Sequence, residues 1–323
     1  MSSIKTYISG KNDSGGGNMN FDLYKKNRTI CTYPKLRQTI YTDMLVIGGG
    51  ICGLLTAYLL CKNGLQTVLV EQNLIASGKT RYLCGILNGN DYKKDISQKE
   101  YSRSFTNIMH IAKLIHKSTN VEKFPQLYLQ ETKTCEKAIK NTTILKNALL
   151  PNNAEYRTNG ILFTKKIAAI DTVEFCKDLA SYLSLYGTEI YENTKVLSYG
   201  KGLATTDAGQ IHAKTIINCT NQSSTNKKYG LVMEFPRCIN STFSVLKNNK
   251  NGYVIYPYLN RIICMGHLGK QSNYISTLSK IYNCPTIKPI TRFITDYTLN
   301  PILEKEIEIR KYVTQHILTE SID

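Results

Sequence analysis

Gly48-Gly49-Gly50-Ile51-Cys52-Gly53 satisfies the pattern G-x-G-x-x-G. In that pattern the first glycine permits a tight turn, the second lets a pyrophosphate come up against the backbone, and the third lets a helix pack closely on a strand. Unpaired N–H groups at the start of the helix, with their partial positive charge, then hold the phosphates. Glu71 stands twenty-three positions beyond Gly48. There a carboxylate can accept the hydroxyls of a ribose and repel a 2′-phosphate. The chemistry indicated is the binding of a dinucleotide other than NADP. A chance cluster of glycines is the competing reading, and the surrounding elements decide between the two.

The motif needs a strand before it and a helix after it. Met44-Leu45-Val46-Ile47 is a continuous apolar run, as a strand buried on both faces would be. Ile51 to Lys62 reads as a helix closed by Asn63-Gly64. Gln66 to Val70 reads as a second buried strand that delivers Glu71 at its end. Together they make a β-α-β unit of about thirty residues. Met44 to Cys61 is also eighteen residues without a charge, close to the ~18 of a membrane span. The three glycines near its start place a turn there instead. Strand, fingerprint, helix, strand and acidic residue occur in order, which favours a dinucleotide site and leaves FAD and NAD both open.

The run Asp43 to Leu54, followed by Val68-Leu69-Val70-Glu71-Gln72 and Ile75 to Thr80, resembles the D-amino-acid oxidase and glycine oxidase superfamily of FAD-dependent oxidoreductases. The resemblance continues through Gly160 to Phe163, the helix after Asp171, Glu192 to Val196 and Ile216 to Thr220, and spans roughly residues 41 to 300. It implies an α/β fold, with a Rossmann-like FAD-binding domain and a second, mainly antiparallel-sheet substrate domain. It also implies extended FAD, and a hydride passing to the flavin from a C–H beside an amine or hydroxyl.

Carried over by position, Gly48, Gly49, Gly50 and Gly53 hold the pyrophosphate with Ile51 beside them, and Glu71 holds the adenosine ribose with Gln72 adjacent. Ser77, Gly78, Lys79 and Thr80 flank the phosphates or the ribityl chain, Val196 meets adenine through its backbone, and Thr220 sits beside the cofactor. An ordinary polar loop is the alternative for Ser77 to Thr80. Tyr253, Tyr256, Arg261 and His267 fall in a hairpin resembling the substrate sheet and could line the pocket over the flavin. A half-buried sheet with snorkelling ends would use the same residues. No catalytic residue is specified, because in flavin chemistry the cofactor carries the hard step while the protein orients the substrate.

Two departures stand out. Where the superfamily has Ala-Thr-Gly, this chain has Cys219-Thr220-Asn221, and Asn tolerates a positive φ better than most residues. The glycine-rich strand and helix that end the superfamily's fold over the flavin have no counterpart after Asn300. Pro301 to Asp323 reads instead as a charged helix with Glu306 four positions before Arg310.

Elsewhere, Phe105, Ile108, Met109, Ala112 and Ile115 share a helical face, and Ala138, Ile139, Thr142, Leu145 and Leu149 suggest a second helix broken by Pro151-Asn152-Asn153. Asp171 and Glu174 have capping-box spacing before a helix that Gly187 closes. Strands follow at Glu189 to Tyr191, Lys195 to Tyr199 and Thr215 to Cys219, with a hairpin near Asp207-Ala208-Gly209. Two more, Tyr253 to Tyr256 and Arg261 to Met265, join at Leu259-Asn260. The expected organisation is a tail and lead-in at 1–40 and an FAD-binding domain from 41–90 and 165–225. A substrate domain from 91–164 and 226–290 and a helical segment at 291–323 complete it.

The chain has 323 residues, 42% of them hydrophobic and a formal charge of +17. That composition excludes wholesale disorder. The lysines are dispersed in pairs such as Lys93-Lys94 and Lys227-Lys228, with no arginine-rich stripe of the kind a nucleic-acid groove wants. Ten cysteines without a C-x-x-C or metal-ligand spacing point to a reduced, cytoplasmic chain with no metal site. The polar N-terminus lacks the apolar core of a secretory signal. The expected function is an FAD-dependent oxidoreductase acting on an amino-acid-like amine, with a small-molecule substrate, no transmembrane segment and an unspecified oligomeric state. The alternative is a flavin-fold remnant that binds a nucleotide or a protein partner without turnover. An oxidase of modified nucleic acid rests on the positive charge alone.

Overall fold

The computed structural model describes residues 32–91, 95–115, 119–129, 142–150, 153–220, 229–239, 241–247, 252–267, 278, 282, 291–296 and 300–317. The helices are α1 (Ile51–Lys62), α2 (Gln98–Leu114), α3 (Thr172–Leu185) and α4 (Pro301–His316). The strands begin with β1 (Ile40–Ile47), β2 (Thr67–Val70), β3 (Ile86–Asn88), β4 (Val121–Lys123), β5 (Gln126–Leu129), β6 (Thr142–Leu150), β7 (Asn153–Phe163) and β8 (Ile167–Ile170). They continue with β9 (Glu189–Tyr191), β10 (Val196–Gly200), β11 (Leu203–Thr206), β12 (Gln210–Asn218), β13 (Tyr229–Pro236), β14 (Ser244–Lys247), β15 (Tyr253–Tyr258), β16 (Arg261–His267) and β17 (Thr291–Asp296).

A six-stranded sheet runs β10-β11-β12-β1-β2-β9, with β12, β1, β2 and β9 parallel. Its apolar strands are buried on both faces, as parallel sheets are. On β1, Met44 and Val46 join the core under the helices, while Leu45 and Ile47 join the opposite core with Val68 and Val70. Helix α1 is buried nearly all round, from Ile51 to Leu60, because it is wedged between this sheet and the helices α3 and α4. Asn63 ends it, and Gly64 follows with φ +78°.

An eight-stranded sheet, β17-β13-β16-β15-β14-β5-β7-β6, forms the second layer system. Alternation sorts its side chains: Val254, Tyr256, Tyr258, Ile263 and Met265 face one core, and Tyr253, Ile255, Ile262 and Cys264 face another. Between the two large sheets lies the small sheet β3-β8-β4. Its strand β8 gives Ala168 and Ile170 to the helical core and Ile167 and Ala169 to the large-sheet core.

The structure corrects the expectation of a second helix through Leu149. Residues 142–150 are strand β6, paired antiparallel with β7, while Ala138 and Ile139 lie outside the described residues. The i, i+3, i+4 spacing there coincides with a run of β-branched residues, Thr142-Thr143-Ile144, which suits a strand once β7 offers it a partner. The segment expected to be helical from 291 opens as strand β17, paired with β13. The helix follows, and the Arg310–Glu306 pair forms at 3.0 Å. A strand and a helix therefore do end the described chain, without the glycines of the superfamily's segment. Helix α2, drawn from sequence into the substrate half, packs on α4 and shares the core of α1.

At the start of α3, the Asp171 carboxylate accepts hydrogen bonds from the backbone of Val173 and Glu174 at 2.9 and 3.0 Å. The Asp171 N–H donates across to the Tyr258 hydroxyl at 3.0 Å, so the cap also ties α3 to the large sheet. Asp171→Ala is expected to cost about 1–2 kcal/mol, read as a fall in Tm of roughly 2–4 °C per kcal/mol. An unchanged Tm would show that the cap contributes nothing.

Candidate functional site

The fingerprint turn is held from both sides. The Gly48 N–H donates to Val70 O at 2.8 Å and the Cys219 N–H to Ile47 O at 2.9 Å. Gly48 has φ +111°, a conformation that glycine adopts without strain. A Cβ at Gly53 would lie 1.8 Å from Gly48 O, and one at Gly50 would lie 2.9 Å from Thr80 Oγ1. Gly49, a variable position of the pattern, is also constrained, since its Cβ would meet Ile75 Cδ1 at 2.5 Å and Glu71 Cβ at 2.9 Å. The third consecutive glycine in the sequence was the available signal for that.

Helix α1 has Gly50 as its N-cap residue, which offers no side-chain cap, and no acidic residue in its first turn. The positive end of its dipole is therefore uncompensated from within the helix, as an anion site requires. Thr80 Oγ1 accepts the Ile51 N–H at 3.1 Å, and Thr80 O accepts from Thr172 Oγ1 at 2.9 Å. Burial pushes the Cys52 thiol, in that first turn, up to about 11, and it also raises the Cys219 thiol. Both stay neutral at pH 7, so no thiolate opposes a phosphate there. Thr56 Oγ1 and Cys219 Sγ lie 3.4 Å apart, with either as donor.

Glu71 shapes the loop beside the turn. One carboxylate oxygen accepts the Gly49 N–H at 2.7 Å and the other the Asn73 N–H at 2.9 Å. Each oxygen keeps a further lone pair for a ribose hydroxyl. Gln72, Gly78 and Lys79 are exposed, Ser77 is half-buried and Thr80 is buried. No atom lies within 4 Å of a Cβ built at Gly78. Val196 opens β10 and is half-buried. Thr220 is exposed, and its N–H and hydroxyl both donate to Asn218 Oδ1, at 2.9 and 2.6 Å. The Asn218 amide in turn donates to the Tyr199 hydroxyl at 2.9 Å. Asn221 lies outside the described residues.

Reading the cofactor residues did not pick out Glu192 as a contributor. It is buried, and its two oxygens accept the backbone N–H groups of Ile75 at 2.6 Å and Tyr33 at 2.9 Å. It therefore fixes the loop between Glu71 and Thr80 against the lead-in segment. Its place in the run resembling the superfamily, Glu192 to Val196, was the only signal.

The structure does not bring the four expected substrate residues together. Tyr253 and Tyr256 are three apart on one strand and so face opposite cores. The Tyr256 hydroxyl accepts the Gly85 N–H at 3.3 Å. Arg261 is ion-paired with the buried Glu234 on the Tyr256 side of the sheet. His267 ends β16, with its backbone opposite Gly230. Among the described residues no group of three or more His, Cys, Asp or Glu could hold a metal ion, and no helix is long and apolar enough to cross a membrane. Six described cysteines are free thiols, whereas Cys238 is disulfide-bonded, an exception to the expected reduced chain.

A sheet with a parallel centre, a glycine turn at the end of its middle strand, an acidic residue just past the next strand and a second, mainly antiparallel sheet together make a Rossmann-like α/β fold with a second sheet layer. The chain belongs to the DAO family of FAD-dependent oxidoreductases, whose pattern it matches over residues 43–273. Among solved structures it is similar to glycine oxidase from Bacillus cereus ATCC 14579, with a TM-score of 0.66, 15% identity, and 87% of this chain and 96% of that one covered. An insertion-deleted L-amino acid deaminase from Proteus vulgaris gives 0.63 at 14% identity over 83% and 80%. L-proline dehydrogenase from P. horikoshii gives 0.62 at 16% over 83% of each. A Bacillus subtilis (strain 168) protein bearing the name Rieske 2Fe-2S iron-sulfur protein YhfW is 23% identical over 227 residues, 61% of this chain. The chain spans 44% of that relative's length.

Proposed function

We propose that this chain binds FAD in the cradle around Gly48 to Thr80 and oxidises a small amino-acid-like amine. Bound FAD would supply the acceptor for a hydride from the C–H beside that amine. The chain's own part is to bind and orient. Backbone N–H groups at the start of α1 would hold the pyrophosphate, Glu71 the ribose, Ser77 to Thr80 the phosphates or ribityl chain, Val196 the adenine, and Thr220 the cofactor's edge.

The observation that carries the reading is the close approach of Gly53 to Gly48 O, with Glu71 bonded to the Gly49 N–H. No chance glycine cluster requires both. The names of the structural neighbours, glycine oxidase, L-amino acid deaminase and L-proline dehydrogenase, support the substrate class. A cytoplasmic setting belongs to the same reading; six free thiols among the described residues support it and the disulfide-bonded Cys238 opposes it.

The second reading, FAD binding without turnover, is favoured by one observation. Arg261, a candidate to line the pocket over the flavin, is already matched by Glu234. Reconstitution separates the readings. The chain incubated with FAD and desalted is expected to be yellow, and to bleach without oxygen on addition of glycine, L-alanine or L-proline. Bound flavin that no amine bleaches would establish the second reading, and absence of flavin absorbance would overturn both.

A further inference from the structure

Three parallel strands end side by side at the cradle. Asn218 of β12, Ile47 of β1 and Val70 of β2 stand level with one another, and an open α/β sheet binds its ligand just beyond such carboxyl ends. Glu71 lies past β2, the glycine turn past β1 and Thr220 past β12. Thr220 also borders the turn closely, since a Cβ at Gly48 would lie 3.3 Å from its backbone nitrogen. Two strand spacings, about 10 Å, separate β2 from β12.

The hydrogen bonds at this third strand end leave Thr220 one polarity. Its N–H can only donate, so the Asn218 atom that it reaches at 2.9 Å is the carbonyl oxygen Oδ1. The amide nitrogen of Asn218 therefore points the other way and donates to the Tyr199 hydroxyl at 2.9 Å. Thr220 Oγ1 meets the same Oδ1 at 2.6 Å. A carbonyl oxygen only accepts, so the Thr220 hydroxyl commits its one proton there. Toward a ligand, Thr220 Oγ1 is then an acceptor, on an exposed residue. A phosphate oxygen would face it as acceptor against acceptor, whereas an alcohol would donate to it.

We propose that Thr220 Oγ1 accepts a hydrogen bond from a ribityl hydroxyl of FAD, and that Asn218, steadied by Tyr199, is the positioning residue that fixes this polarity. The inference rests on the FAD reading of the cradle. With the adenosine ribose at Glu71 and the pyrophosphate at the glycine turn, the next part of an extended FAD is its sugar-alcohol chain, and the next strand end is that of β12. A nucleotide that stops at its phosphates offers Thr220 no such donor. The relay thereby favours the full dinucleotide over ADP.

Calorimetric titration of the full chain with FAD and, separately, with ADP tests this through the ratio of the two affinities. Thr220→Val and Asn218→Ala are each expected to lower that ratio about tenfold by weakening FAD alone. Thr220→Ser keeps the hydroxyl, and Asn218→Asp keeps an acceptor for both Thr220 hydrogens, so each should hold the ratio within about twofold of the parent. Any repulsion from the added carboxylate acts on the pyrophosphate that both ligands share and cancels in the ratio. Thr220 is exposed, so its two variants carry the test if Asn218→Ala does not fold. An unchanged ratio in Thr220→Val, or an equal fall in Thr220→Ser, would overturn the proposal while a parent that binds both ligands keeps the cradle reading. A parent that binds no FAD would overturn both.

Discussion

Gly53→Ala is expected to destabilise the fold strongly and to cut its soluble yield. Its methyl group would have to occupy space 1.8 Å from the carbonyl oxygen of Gly48. That oxygen belongs to backbone held by hydrogen bonds to Val70 and, next to it, from Cys219 to Ile47, so it cannot swing aside as a side chain would. Overpacking a fitted interior ordinarily costs about 1–3 kcal/mol, and a backbone obstacle places this change at or above the top of that range. Against a total stability of roughly 5–15 kcal/mol, the loss should appear as poor soluble yield and a Tm lowered by roughly 6 °C or more. Gly78→Ala is the control. Nothing lies within 4 Å of the added atom, and an exposed change of that kind stays within about 0.5 kcal/mol. Equal melting of the two variants would show that α1 can slide away from the turn.

Glu71→Ala is expected to weaken FAD binding by about 100-fold, measured by quenching of flavin fluorescence on titration. The parent carboxylate accepts two backbone N–H groups, from Gly49 and Asn73, and hydrogen bonds to a charged group are worth about 1.5–3 kcal/mol each. Their loss would loosen the glycine turn as well as remove the acceptor proposed for the ribose. Glu71→Gln should fall between, because its amide keeps one oxygen but turns an NH₂ toward a backbone donor. If Glu71→Ala bound FAD as tightly as the parent, the ribose would have to be held elsewhere.

The β-α-β unit was legible because its signals are local: an apolar run, three glycines, and a carboxylate at the end of the next strand. The alternation in β15 and β16 was equally plain, and it already implied that Tyr253 and Tyr256 face opposite sides. Treating both as pocket residues overlooked that period of two. The strand β6 was hidden because helical and strand spacing coincide over Thr142 to Leu149, and only its pairing with β7 decides between them. Thr80 was named through the resemblance, but its bond to Ile51, like the contribution of Glu192, was hidden for a different reason. Thr80 reaches Ile51 across 29 positions and Glu192 reaches Ile75 across 117, distances over which no periodicity speaks.

Tyr258 accepts from Asp171 N and donates to Asn120 O, each at 3.0 Å, while Tyr256 receives Gly85 N. Asn300 and Asn88 exchange amide and backbone bonds at 3.3 and 3.0 Å. These bonds tie the eight-stranded sheet to the small sheet, and the small sheet to the N-terminal end of α4. Lifting the eight-stranded sheet off the small sheet would break the bonds of both tyrosines together, so those two layers are coupled as one body.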